Sequence, residues 1–257
     1  DYGSYTANER LSRKQYPSIF SYDKNVVCAV DTSIIPYNYK DKEQLSEYRQ
    51  HVNRAICSYS LATNGRTLVL FMSQSELNSA FNITSKFFRS HDILPLKQNG
   101  SSLEEIQEFN RNEYSILFGV DRFWSGVDFP GSTLSQVIIV KAPNPSINNP
   151  LIAHQKMWDP NFFHNTYPIY GKLKLRQGFG RLIRSMSDKC GVVILDSRYL
   201  YSQWLYSHLE DLPLEIFYNE NQEKIMREVL RKAGLTKEFH ERRIDPFLEV
   251  EQYEFIE

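Results

Sequence analysis

Apolar positions recur along the chain in two alternating rhythms. From Glu43 to Thr63, Leu45, Tyr48, Val52, Ile56 and Tyr59 fall three or four residues apart, the spacing of an amphipathic helix. Asn64-Gly65-Arg66 breaks that helix. Thr67–Met72 (TLVLFM) follows as a short β-rich run with no polar alternation, which reads as a buried strand. Ser73–Ser90 returns to helical spacing and turns Leu77, Ala80, Phe81 and Phe88 towards a core. Ser115–Val120 (SILFGV), Gln136–Lys141 (QVIIVK) and Gly191–Asp196 (GVVILD) are three more buried strands. Runs that are apolar on both faces and separated by helical stretches predict a mainly parallel sheet covered by helices on both sides, an α/β three-layer sandwich. Met226–Glu257 reads as an appended helix followed by an acidic tail.

Composition changes this picture little. With 257 residues, 41% of them apolar and 14% aromatic, the chain can bury a sizeable core as one large domain with appendages. The net charge of −1 hides a segregation. Between Gly171 and Cys190 six bases (Lys172, Lys174, Arg176, Arg181, Arg184, Lys189) face one acid, Asp188, whereas Glu210–Glu257 holds thirteen acids and seven bases. Cys28, Cys57 and Cys190 are far apart and form no C-x-x-C, so neither a zinc site nor a disulfide framework is indicated. A reducing, cytoplasmic setting is expected, and the two N-x-S/T sequons at Asn82 and Asn99 are read as chance matches. No apolar run approaches the ~20 residues of a membrane span, and no signal peptide is apparent. A start at Asp1 rather than Met suits a fragment or an excised domain.

Three stretches carry candidate chemistry. In RQGFGRLIR (Arg176–Arg184) a helix would place Arg181 and Arg184 on one face, with Gln177 on the same edge. Gly178 and Gly180 would let backbone or ligand come close. A bare R-x-x-R is in most chains a solvated basic face. Here the glycines, and the feed into a buried strand ending at Asp196, favour a phosphate partner for two guanidiniums that cannot lose their charge. A dinucleotide fingerprint fails, because Ile183 stands where the third glycine of G-x-G-x-x-G belongs. In FGVDRFWSGVDFPG (Phe118–Gly131), Asp121, Arg122, Ser125 and Asp128 are polar groups beside Gly126 and Gly131. Trp124 and Phe123 either stack on a nucleic-acid base or belong to the core, and Asp128 is otherwise a turn residue. In LFMSQS (Leu70–Ser75) a strand runs into Ser73, Gln74 and Ser75 at a helix start, which serves either as a phosphate site or simply as a cap. KAPNPSINNP (Lys141–Pro150) is a proline-rich strand exit, where α/β sheets usually bind ligands.

In this order, the three stretches resemble the second RecA-like domain of DinG/XPD-type superfamily 2 DNA helicases. QGFGRLIRSMSDKCGVVILD is similar to that family's motif VI and following strand, a pattern close to QxxGRLIRxxxDxGxxxxxD. FWSGVDFPG resembles motif V, LVLFMSQS the motif IV region, and YPSIFSYDKN (Tyr16–Asn25) the segment leading into the domain. VIIVKAPNPSINNP resembles the strand exit after motif V, and the resemblance covers Tyr16–Pro213. It implies ATP with Mg2+ lying between two RecA-like domains, the first of which holds the phosphate-binding loop. Arg181 and Arg184 would be arginine fingers, with Gln177 coupling the site. Gly126, Asp128 and Gly180 would link the nucleotide to the DNA groove. Ser73, Gln74, Arg122, Trp124 and Ser125 would meet single-stranded DNA. Two positions depart from the pattern: Ser125 stands where an acid is common, and Arg122 where a hydroxyl often stands.

The P-loop pattern G-x-x-x-x-G-K-[ST] occurs nowhere, nor does a DEAH-like box or a set of iron–sulfur cysteines. The resemblance therefore implies half of an ATPase, inactive alone, with no iron–sulfur cluster in this chain. Its partners would be single-stranded DNA and the first RecA-like domain of the same protein, with no membrane. The expected organisation is a lead-in over 1–30, the RecA-like domain over 31–213 and a helical acidic extension over 214–257. A RecA-like binding or regulatory module without catalysis, and the motor half of a DinG-like nuclease, are the alternatives.

Overall fold

A computed structural model of the protein describes residues 21–38, 40–99, 103–124, 129, 133–179, 188–210, 212 and 214–255, apart from the side chains of 121 and 122. Seven strands are found among them: β1 (Val26–Asp31), β2 (Thr67–Leu70), β3 (Leu94–Lys97), β4 (Ser115–Gly119), β5 (Gln136–Ile139), β6 (Cys190–Ile194) and β7 (Ile216–Asn219). All their pairings are parallel, in the order β3-β4-β2-β5-β6-β1-β7. The five inner strands are buried along their whole length, whereas the edge strands β3 and β7 are mostly half-buried. That is why the inner strands read as unbroken apolar runs and the edges do not.

Side-chain alternation feeds two cores, one on each face of the sheet. Ala29, Val69, Phe118, Ile138 and Val193 face one side. There they meet α2 (Lys42–Ala62), α3 (Gln74–Ser90), α9 (Gln222–Ala233) and α11 (Pro246–Gln252) through Ile56, Tyr59, Phe88, Val229 and Val250. Cys28, Leu70, Leu117, Ile139 and Val192 face the other side. They meet α7 (Tyr167–Phe179), the one-turn 3-10 segments Asp121–Trp124 and Ser197–Leu200, and α8 (Gln203–Tyr206) through Leu175, Trp124, Tyr199 and Leu205. The short helices α1 (Tyr22–Asn25), α4 (Leu103–Arg111), α5 (Pro150–Trp158), α6 (Phe162–Asn165) and α10 (Thr236–Arg242) complete the described elements. The expected α/β sandwich with a parallel sheet is thus the architecture. No helix among the described residues is long and apolar enough to cross a membrane.

Both domain boundaries expected from the sequence need correction. The boundary at 30–31 cuts through β1, an inner strand paired with β6 on one side and β7 on the other. The boundary at 213–214 separates β7 and α9 from the sheet they complete, although α9 buries Ile225, Met226, Val229 and Leu230 against it. The supposed acidic tail folds back as α10 and α11. Arg66, almost wholly buried, ion-pairs with Glu238 of α10 at 3.0 Å and with Glu113. The Arg242 guanidinium donates to the Leu61 carbonyl at the end of α2. The acids of this region are the outward face of a packed helical layer, which is why composition alone suggested an appendage.

Candidate functional site

Parallel strands all end on one edge of the sheet, so the loops leaving β1, β2, β5 and β6 converge there. They line a cavity of about 590 Å³ with Tyr37 after β1, Met72 after β2, Lys141 and Asn144 after β5, and Arg198 after β6. Phe163 of α6, Tyr167 at the start of α7 and Trp204 of α8 form the opposite wall. Phe163 is 45% and Trp204 41% exposed, so this wall presents aromatic faces to solvent. Tyr167 and Trp204 lie 5.9 Å apart between centroids at 39°, and Phe163 meets Tyr167 edge-on at 5.5 Å. The Tyr167 hydroxyl donates to the Pro145 carbonyl at 2.8 Å, which ties the proline-rich loop to the wall.

The floor is charged but internally paired. Asp196, almost fully buried, accepts from Arg198 Nε at 2.8 Å and Nη2 at 2.7 Å, and from the Ala142 backbone N–H at 2.9 Å. Burial alone would lower the Arg198 guanidinium, but the Asp196 carboxylate outweighs it and holds it above its ordinary value. Lys141 is only 8% exposed and donates to Glu76. Burial lowers its ammonium below the ordinary lysine value, and Glu76 offsets part of that. Aromatic walls around paired, fixed cations suit a planar π-rich group better than a bare phosphate.

Behind this wall, His208 is fully buried against Trp204, with ring centroids 5.5 Å apart. Its Nδ1 lies 3.4 Å from the Tyr199 hydroxyl, and its Nε2 has no hydrogen-bond partner among the described residues. A Cβ at Gly171 of α7 would come within 2.5 Å of both the His208 ring and Asn144 Oδ1, so only glycine lets α7 approach so closely here. Burial, with Lys172 adding repulsion, pushes the imidazole down to about 4.

The residues singled out from the sequence fall into three groups. Gly180, Arg181 and Arg184, together with Ser125, Gly126 and Asp128, lie outside the described residues, as does the Arg122 side chain. Ser73 and Gln74 stand at the start of α3, beside the cavity residue Met72. The Ser73 hydroxyl accepts from the Glu76 N–H at 3.3 Å, and Gln74 is exposed and donates to Asn78 at 3.3 Å. Gln177 is exposed near the end of α7. Trp124 needs correction as a base-stacking residue, because its indole is 0% exposed and donates to the Phe71 carbonyl at 3.3 Å. A Cβ at Gly178 would sit 3.2 Å from that indole, so this glycine admits a core tryptophan rather than a ligand. Tyr37, Arg198 and Trp204 were missed. Only Arg198 had a signal, two residues beyond Asp196, where the apolar run GVVILD ends.

An all-parallel sheet with helices on both faces and a cavity at its strand exits defines a doubly wound α/β domain. Residues 56–213 match the family described as the helicase C-terminal domain, and the chain belongs to it. A Bacillus subtilis (strain 168) protein named 3'-5' exonuclease DinG is 31% identical over 207 residues, covering 76% of this chain and 22% of that protein. The chain thus spans about a fifth of the length of this curated relative. An XPD helicase structure aligns over 76% of this chain and 35% of its own, with a TM-score of 0.58 at 18% identity. Saccharomyces cerevisiae Dbp5, solved bound to RNA and ADP BeF3, aligns over 82% and 46% with a TM-score of 0.53 at 13% identity. At such identities these two structures speak for the fold alone.

Proposed function

We propose that the chain is the C-terminal motor segment of an ATP-dependent DNA helicase or translocase. The observation that carries this reading is the family match over residues 56–213, which contains Q-x-x-G-R-x-x-R at Gln177–Arg184. ATP with Mg2+ would be held mainly by a preceding RecA-like domain with the phosphate loop, and supplies the phosphoanhydride whose hydrolysis drives movement. Arg181 and Arg184 would meet charge building up on the γ-phosphoryl group. Gln177, Gly180, Gly126 and Asp128 would couple that charge to the nucleic-acid track.

Single-stranded DNA would run over the strand-exit edge, past Ser73, Gln74, Arg122 and Ser125. The aromatic cavity of Tyr37, Tyr167, Trp204 and Arg198 would take a base, the role that buried Trp124 cannot fill. Stacking of this kind is worth roughly 1–3 kcal/mol per base and tolerates any sequence. The test is ATP hydrolysis by the full-length protein with and without single-stranded DNA, comparing wild type with Arg181→Ala and Arg184→Ala. Loss of about 10³-fold or more in turnover with DNA binding retained is expected. No DNA-stimulated hydrolysis in the wild type, or none lost in the variants, would leave a RecA-like binding module instead.

The name of the Bacillus subtilis relative favours a second reading, a motor segment in a nuclease-bearing protein. Exonuclease assays on the full-length protein decide it. Digestion that persists in the Arg181→Ala variant would place that activity outside this segment.

A further inference from the structure

Two ion pairs, each with one buried partner, converge on one ring at the strand-exit edge. Tyr37 rests edge-on against Tyr48 of α2 at 5.3 Å and 69°, and the Tyr48 hydroxyl donates to the Val140 carbonyl at 3.3 Å. The Lys141 ammonium lies 3.7 Å from the Tyr37 ring centroid, and the Arg198 guanidinium carbon lies 6.0 Å from it. Each cation has its own carboxylate, Glu76 for Lys141 and Asp196 for Arg198. Glu76 belongs to the first turn of α3, and its N–H is the one that the Ser73 hydroxyl caps. One unbroken line of contacts therefore runs from Ser73 through Glu76 and Lys141 to the face of Tyr37.

Burying an ammonium is costly unless it is paired, and a ring face adds to the pairing only when the cation is held over it. Glu76 holds Lys141 in place, and Lys141 in turn fixes the plane of Tyr37, which is a wall of the cavity. If the pair served stability alone, apolar residues of similar shape at both Glu76 and Lys141 would do as well. We infer that Glu76 and Lys141 are positioning residues that preset the Tyr37 wall for a base of single-stranded nucleic acid and tie it to the first turn of α3. This rests on the reading of the cavity as a base pocket.

The experiment measures binding of a fluorescent oligo-dT by the full-length protein without nucleotide, using Tyr37→Ala, Lys141→Met, Glu76→Gln, the double variant and Lys141→Arg. Lys141→Met and Glu76→Gln are each expected to weaken binding by about five- to tenfold. The double variant should stay within about twofold of Lys141→Met, because the two act through one contact, and Lys141→Arg should restore most of the affinity. If the two single penalties add in the double variant, or both singles bind like wild type while Tyr37→Ala is weakened, the positioning role is wrong and the pocket stands. If Tyr37→Ala also binds like wild type, the pocket reading fails and the inference fails with it. Should the neutral variants not fold, Glu76→Asp and Lys141→Arg keep both charges. The shortened carboxylate must then weaken binding and the arginine must not, and the reverse result overturns the inference.

Discussion

The buried His208 ties stability to pH in a window that no exposed histidine would produce. Its imidazole is pushed from the ordinary 6.5 down to about 4, since a charge there would lose its water, face Lys172 and gain no partner at Nε2. The folded state therefore resists a proton that the unfolded chain accepts. This depressed value contributes stability that is complete above about pH 6.5, is lost as pH falls towards 4, and declines no further below that. At 1.36 kcal/mol per pH unit, the loss reaches about 2 kcal/mol at pH 5 and approaches 3 kcal/mol near pH 4. For a domain of this size the loss at pH 5 is a fall in Tm of roughly 4–8 °C. Carboxylates titrating nearby add their own slope, so the quantity to measure is a difference. Urea or thermal unfolding of wild type and His208→Leu should be followed from pH 7.5 to 5. The variant sits lower at pH 7.5, because the Tyr199 contact and some packing are gone, and the gap should then close by about 2 kcal/mol as pH falls. A gap that stays constant across that range would refute the account, and the pH dependence would belong to other groups.

The fold makes two sharper claims on stability. Truncation after Pro213 removes β7, α9 and α11 and uncovers the face they bury; such a protein should give no cooperative melt by circular dichroism, whereas residues 21–255 should. Trp124→Ala should cost about 3–5 kcal/mol in urea unfolding, as a core truncation does, and Trp124→Phe should bind oligo-dT like wild type. A selective loss of binding in Trp124→Phe at unchanged stability would return Trp124 to the nucleic-acid surface.

Much of the fold was legible because the inner strands of a parallel sheet are apolar on both faces. TLVLFM, SILFGV, QVIIVK and GVVILD differ from helical stretches in both length and rhythm. The strand β1 (VVCAVD) is just as apolar, and only a boundary drawn through it at residue 30–31 obscured it. The edge strand β7 (IFYN) is four residues long and half-buried, so its pattern is too brief to stand out from its acidic surroundings. Helix α2 was plain from its spacing, and Asn64, Gly65 and Arg66 all take the positive φ that ends it sharply. Trp124 was ambiguous for a physical reason. An indole beside a polar turn has the same sequence signature whether it stacks on a base or on a helix, and its burial, its bond to the Phe71 carbonyl and the approach of Gly178 separate the two.

Of the cavity only the Lys141–Pro150 strand exit was legible, and the topology explains why. Its walls come from Tyr37, Met72, Lys141, Tyr167, Arg198 and Trp204, each on or just after a different strand or helix. A short motif can mark a phosphate cradle because successive backbone amides of one loop build it. A stacking pocket is assembled from single side chains far apart in sequence, so no local spacing records it. The charges at its floor bear on the same point. Lys141 and Arg198 would look in the sequence like two phosphate ligands, yet both are neutralised within the fold by Glu76 and Asp196. Cations already paired with carboxylates release few counterions when a strand binds. On the proposed reading, the pocket thus contributes stacking and geometry, and the salt-dependent share of binding comes from elsewhere on the protein.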